Sequence, residues 1–302
     1  MKFMRSVNHL ADDRASAERA VPPTFGRMTD PIADPDHPLG LLGHLIVAIA
    51  EPFRDSIETY DEWFEGHHMY DAVLVGPGAF AAQRYVATRD LKALRYPGDG
   101  GVFADASTGS FVALYYLAPG TAEAHFAWSF PQNAWLGATG RNNADRTLVL
   151  TWLCDAAGAI VRTGHRVPPQ VALDHPYAGI VMLWIERADD ASLDDLRTAL
   201  IDEHLPALVS GDTRVQQVQL WSPRDFPDTR GTPTTPGSVV VNQAVGRQFL
   251  AVCFLDDLPA TRWESVFVPF GERLAADGVS VRLAAPWVPT ARGAGTRLDE
   301  LW

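Results

Sequence analysis

The sequence predicts an α+β protein built from two copies of one module, each with elements in the order β-α-β-β-α-β, packed sheet to sheet. Three observations predict it. Strand-length apolar runs and helix-period stretches follow that order twice along the 302 residues. A polar, proline-containing stretch, GHRVPPQVALDHP, separates the two series near Thr163 to His175. A histidine stands near the end of the first helix in each series, at His67 and His68 and again at His204.

The elements can be justified in turn. Residues 1–40 are polar with scattered prolines and read as an irregular extension, with a short helix over Asp12 to Ala20. The first module covers 41–162. It opens with an apolar strand, HLIVAIA, from His44 to Ala50. Ser56 to Leu74 is helical, with Tyr60, Trp63, Phe64 and His67 spaced three and four apart on one face. The Gly-Pro-Gly at Gly76 to Gly78 ends it. Strands follow at Phe80 to Thr88 and Ser110 to Ala118, joined by a glycine-rich loop. A second helix lies within Thr121 to Leu136, with a break or kink expected at Pro131. Arg146 to Asp155 is the fourth strand.

After a linker at 163–176, the second module spans 177–290. Its strands are Ala178 to Glu186, Val215 to Trp221, Phe249 to Leu255 and Val279 to Ala285. Its helices are Ser192 to Val209, opened by a capping-like SLDD, and Thr261 to Ala276. Residues 291–302 form a tail. Each unit is a split-βαβ, ferredoxin-like module. One such sheet leaves a face apolar and open, and two that face each other close a barrel within one chain.

Composition narrows the function classes. With 25 Lys and Arg against 37 Asp and Glu, the formal net charge is −12, which argues against nucleic acid or an anionic membrane as partner. Cys154 and Cys253 lie in apolar runs with no metal-ligand spacing and read as small buried hydrophobes, which suits a cytoplasmic location. No apolar run has the length of a membrane span, and Lys2 and Arg5 are not followed by the pattern of a secretory signal. No HxH, HExxH or paired-carboxylate spacing points to a metal, and no cofactor is expected. The expected partner is a small hydrophobic substrate, bound by a monomer with a pseudo-dimeric barrel or by a homodimer.

The run YDEWFEGHHMYDAVLVGPGAFAAQRYVA resembles the dimeric α/β-barrel superfamily, and within it the EthD-like and polyketide-cyclase-like proteins, at Trp63, His68, Pro77, Gly78, Arg84 and Tyr85. In the second half Glu203 and His204 match, while the Arg-Tyr pair is replaced by Gln219 and Leu220 or their neighbours. This departure suggests one working pocket and one degenerate pocket. The resemblance implies a cleft between sheet and helices for a small, mostly apolar molecule. There His68, with His67 as the alternative, would act as general acid and base. Tyr85 or Tyr70 would hydrogen-bond an enolate oxygen, and Asp71 or Glu65 would orient the imidazole. Trp63, Phe64, Tyr115, Trp184 and His204 complete the candidate binding residues. The expected activity is cofactor-independent isomerisation, cyclisation or dehydration of a small cyclic carbonyl or hydroxylated compound. A cofactor-free monooxygenase and a non-catalytic binding protein are the alternatives.

Overall fold

A computed structural model describes residues 40–98, 101–187, 192–227 and 244–302. The helix expected over Asp12 to Ala20, and most of the Pro/Thr/Gly loop of the second module, lie outside the described residues. Eight strands form one closed antiparallel barrel in the order β1-β3-β2-β8-β5-β7-β6-β4. They are β1 (His44–Pro52), β2 (Ala79–Val86), β3 (Phe111–Leu117), β4 (Arg146–Val161), β5 (Gly179–Arg187), β6 (Val215–Arg224), β7 (Gln248–Leu255) and β8 (Val279–Pro289). Cut in two, the barrel gives β4-β1-β3-β2 and β6-β7-β5-β8, which is the same arrangement twice. The chain is therefore a dimeric α/β barrel folded within itself.

Two edge pairings close it. β4 pairs with β6 from Leu153–Arg224 to Val161–Gln217, and β2 pairs with β8 at Tyr85–Pro289 and Val86–Val288. The sequence reading ends β4 at Asp155, whereas the strand continues through DAAGAIV to Val161. That continuation is half-exposed and extends the strand through its backbone ladder to β6.

Each sheet carries its helices on the outer face. In the first half α1 (Ile57–Trp63) continues through two wide, π-helical stretches, Phe64–His68 and Tyr70–Leu74. A short α2 (Arg89–Ala93), absent from the sequence reading, is capped by the Thr88 hydroxyl, which accepts from the Leu91 N–H at 3.3 Å. The helix expected to break or kink at Pro131 runs without a break as α3 (Ala122–Ala138). Proline removes one backbone donor, but Pro131 and Ala127, whose carbonyl loses it, both lie on the exposed side. In the second half α4 (Leu193–Ala199) runs into a π-helical stretch, Leu200–His204. There α5 (Pro259–Arg262), a π stretch at Trp263–Phe267 and α6 (Val268–Ala276) make the last helical segment.

The barrel interior is packed solid. Leu45, Val47 and Ile49 of β1 meet Val112, Leu114 and Tyr116 of β3, all at most 1% exposed. Trp184 of β5 lies among Phe103, Trp152 and Trp287, with ring centroids 5.8, 6.2 and 6.3 Å away. A hydrogen-bonded chain links four of the interior polar side chains: Tyr116 donates to Gln219 at 2.7 Å, Gln219 to Gln217 at 3.2 Å, and Gln217 to Tyr177 at 2.7 Å. Cys154 and Cys253 are free and buried. The tail is docked, with Leu301 fully buried and the Trp302 indole donating to Glu51 at 3.1 Å. No helix among the described residues is long and apolar enough to cross a membrane. Because Trp184 fills the middle of the barrel, Trp184→Ala is expected to cost about 3–5 kcal/mol, measured by chemical denaturation.

Candidate active site

The interior being full, open space lies outside the barrel, between the first-half sheet and its helices. A cavity of about 160 Å³ is floored by Ala48 and Ala50 of β1 and Ala113 and Tyr115 of β3. It is roofed by the α1 segment and α3. Small side chains make the room. Counting from matching ends of the strand pairs, Ala48 and Ala50 correspond to Leu183 and Ile185 of β5, and Tyr115 corresponds to Cys253 of β7. In the second half Leu183 and Ile185 pack with Leu200, Trp263 and Phe267, and the corresponding space is filled.

The helix over the cavity places a side chain every fourth residue: Tyr60, Phe64, His68 and Ala72 all line it. In a regular α-helix a step of four overshoots a turn by about 40°, so such a stripe would wind off the face. The π-helical stretches take more residues per turn and hold it straight. The same pitch decides between the two histidines. The α spacing of Tyr60, Trp63 and His67 aims His67 inward, whereas the wider turn exposes His67 and brings His68 to the cavity. His68 and His204 are each the last residue of a π stretch, so they are structural equivalents.

His68 lies against Trp63 and Phe64, with ring centroids 4.4 and 5.3 Å away. No described residue hydrogen-bonds its ring nitrogens. Burial, and after it the charges of Arg146 and Arg84, lower its pKa to about 3. It is therefore neutral across the physiological range, with both nitrogens free.

Two cations border the cavity and no carboxylate does. Arg84 is 1% exposed and points outward from β2. Its Nη1 donates to Asp61 at 2.5 Å and Glu65 at 3.2 Å, two carboxylates four residues apart on the helix. Glu65 is fixed in turn by Thr290 at 3.0 Å and by the Gly293 N–H at 2.6 Å. Arg84 also stacks on Phe111, 3.8 Å from the ring centroid, and its Nε and Nη2 have no protein partner. Arg146, at the start of β4, lies 4.8 Å over Trp63 and donates to the carbonyl of Asn143. Among the described residues it has no acidic partner. Burial lowers its pKa, while Tyr60 and Tyr115 raise it.

His125 of α3 is a site residue that the sequence analysis did not single out. It is fully buried and lines the cavity. Its Nδ1 is 3.1 Å from the carbonyl oxygen of Pro77. A carbonyl only accepts, so the proton sits on Nδ1 and the Nε2 lone pair is bare; Nε2 has no protein partner. The Gly-Pro-Gly turn is what allows this contact. A Cβ on Gly76 would stand 2.5 Å from the Trp128 ring, and Gly78 has φ +74 with Thr121 against it.

Of the other candidates, Phe64 and Tyr115 line the cavity. Trp63 flanks it, stacked on His68 and donating to the Arg141 carbonyl at 2.9 Å. The remaining positions are corrected by the geometry. Tyr85 alternates with Arg84 and points into the barrel, so the strand offers the cavity its arginine and not its tyrosine. Trp184 is likewise interior. Asp71 faces out to Arg141 at 3.2 Å, because the wide turns move the inward position to Ala72. Tyr70 is exposed and accepts from Arg292 at 2.7 Å. Glu65 holds Arg84 and not an imidazole. His204 lies in the other half, 3.8 Å from Asp277. By register the counterparts of Arg84 and Tyr85 are Leu220 and Trp221, one residue beyond the sequence alignment.

The chain matches no protein-family model and no curated protein. Among solved structures it is similar to a DypB variant of Rhodococcus jostii RHA1 in complex with heme, at 10% identity and TM-score 0.47, over 90% of this chain and 100% of that one. It is similar to DtpA from Streptomyces lividans at 9% identity and TM-score 0.47, over 90% and 96%. An anthrone oxidase-like protein is similar at 10% identity and TM-score 0.46, over 82% and 92%.

The depressed pKa of His68 gives a direct test. In an NMR titration its imidazole should stay neutral from pH 8 to pH 5, an interval in which an ordinary histidine takes up its proton near 6.5. The sign for stability follows. His68 favours the fold fully above about 6.5, and that contribution is lost as pH falls toward about 3. His68→Gln should flatten the loss of stability over that window.

Proposed function

We propose that the chain is an enzyme that moves a proton on a small hydrophobic cyclic carbonyl or hydroxylated compound, with His68 as the base. The observation that carries this reading is the pairing, around one cavity, of a neutral imidazole with two guanidinium groups: Arg146, which has no acidic partner among the described residues, and Arg84, whose Nε and Nη2 stay unpaired beside its contacts to Asp61 and Glu65.

In the step proposed, a C–H bond α to a ring carbonyl breaks and its proton passes to a His68 ring nitrogen. The bonding pair moves into the carbonyl, which becomes an enolate oxygen. Arg84, Arg146 and the Tyr60 and Tyr115 hydroxyls surround the cavity as donors for that oxygen. Burial raises the pKa of both tyrosines, which keeps them protonated and able to donate.

The low basicity of His68 fits this scheme. With the cavity empty, burial and two positive charges oppose its protonation. Negative charge developing on the substrate oxygen offsets the guanidinium charges, so the base strengthens as the transition state forms. Return of the proton to another carbon gives isomerisation. Loss of a β-hydroxyl as water gives dehydration, and attack of the enolate carbon on a second carbonyl gives cyclisation.

The test is solvent deuterium wash-in, followed by NMR with a panel of cyclic ketones and hydroxylated cyclic ketones. Exchange at the α carbon of at least one compound is expected. His68→Ala should slow it by about 10²–10⁴-fold in a protein with unchanged near-UV circular dichroism. Exchange that survives in the variant removes His68 from the mechanism. Oxygen consumption during turnover would reassign the chain to cofactor-free oxygenation.

A further inference from the structure

Buried polar atoms without protein partners gather around this cavity. The Tyr60 hydroxyl, Nε and Nη2 of Arg84, Nε2 of His125 and Oδ1 of Asn142 all belong to residues that line it. An unpaired buried polar atom costs about 1–3 kcal/mol, so five around one hollow mark what a ligand must supply. The atoms are of two kinds. Tyr60 and Arg84 offer N–H and O–H donors from α1 and β2, and Arg146 adds a second cation. His125, its tautomer set by the Pro77 carbonyl, offers only a lone pair from α3, and Asn142 Oδ1 is a second acceptor. Four aromatic rings, Phe64, Phe111, Phe126 and Phe130, stand between them, with Ser129, Asn133 and Thr151 also on the wall.

We infer that the cavity selects a single aromatic ring bearing two different oxygen functions: an oxyanion held by Arg84, Arg146 and Tyr60, and a hydroxyl that donates its proton to Nε2 of His125. A neutral hydrocarbon of the same shape leaves all of these atoms unpaired. A carboxylate alone leaves His125 unpaired, and a phenol alone leaves Arg146 without an anion and the free donors of Arg84 without a charged acceptor. The size agrees, since a cavity near 150 Å³ accommodates one benzene ring and this one is about 160 Å³. The inference rests on the reading of the cavity as the substrate site and adds the ring size and the pair of oxygen functions that the site holds; the aromatic probes carry no α C–H and report binding alone. His125 is assigned as a specificity-determining residue.

Isothermal titration of the whole chain with 4-hydroxybenzoate, benzoate, phenol and toluene tests it. 4-Hydroxybenzoate should bind about tenfold more tightly than either benzoate or phenol, and toluene most weakly. Arg146→Met should reduce 4-hydroxybenzoate to the level of phenol. His125→Phe should reduce it to the level of benzoate while leaving benzoate itself unchanged. The ranking on the unaltered protein is decisive even if a variant fails to fold. Toluene binding as tightly as 4-hydroxybenzoate, or no binding of 4-hydroxybenzoate up to its solubility limit, overturns the inference. These outcomes separate from those for catalysis. A ranking without α-carbon exchange leaves the selectivity standing and removes the proton transfer. Exchange that depends on His68, without the ranking, does the reverse.

Discussion

The edges of the two half-sheets constrain everything else. A four-stranded sheet alone ends in two strands with unpaired N–H and C=O groups, which invite other chains. Here those strands are β2 and β4 in one half and β8 and β6 in the other, and each edge finds its partner in the opposite half. Once the edges are joined, the inner faces enclose a space that tryptophans, tyrosines and aliphatic side chains fill. That leaves the outer faces, beneath the helices, as the place where the chain can make room for another molecule.

The duplication then separates two tasks between halves of one backbone plan. Where the first half has Ala48, Ala50 and Arg84, the second has Leu183, Ile185 and Leu220 at the same register positions. The second half buries its sheet against Leu196, Leu200, Phe267 and Leu274 and gains hydrophobic stabilisation throughout. The first half gives up part of that packing for a hollow with a buried cation in its wall. Arg84 persists there because Asp61 and Glu65 balance its charge from the far side, which leaves its remaining donors directed elsewhere.

Much of the fold was legible in the sequence because strands buried on both faces read as continuous apolar runs. All seven residues of β3 are buried, and the run from Phe111 to Leu117 announces it. The second part of β4 was missed because Asp155 and Gly158 interrupt the run, although Ala157 and Ile160 pack against the second-half core. Of the site, the recurrence of His68 and His204 was visible, and so was the alternation that sends Arg84 and Tyr85 to opposite faces. The weight given to Tyr85 was misplaced because a lone charge in a strand reads as solvent-facing. Asp61 and Glu65, four apart in the preceding helix, were the signal that it is not. His125 could not be found this way: its tautomer depends on a carbonyl 48 residues distant. His67, the alternative to His68, was suggested by a 3.6-residue period that this helix does not keep.

That departure has a consequence of its own. A segment wound more loosely than an ordinary helix presents its contacts by count as much as by chemistry. Exchanging one side chain for another leaves the winding intact. Adding or dropping a single residue between Phe64 and His68 would swing the imidazole by about a quarter turn around the axis, out of the hollow and toward water. Anyone grafting this constellation onto a new scaffold must therefore transplant the coarse thread together with the residues it carries.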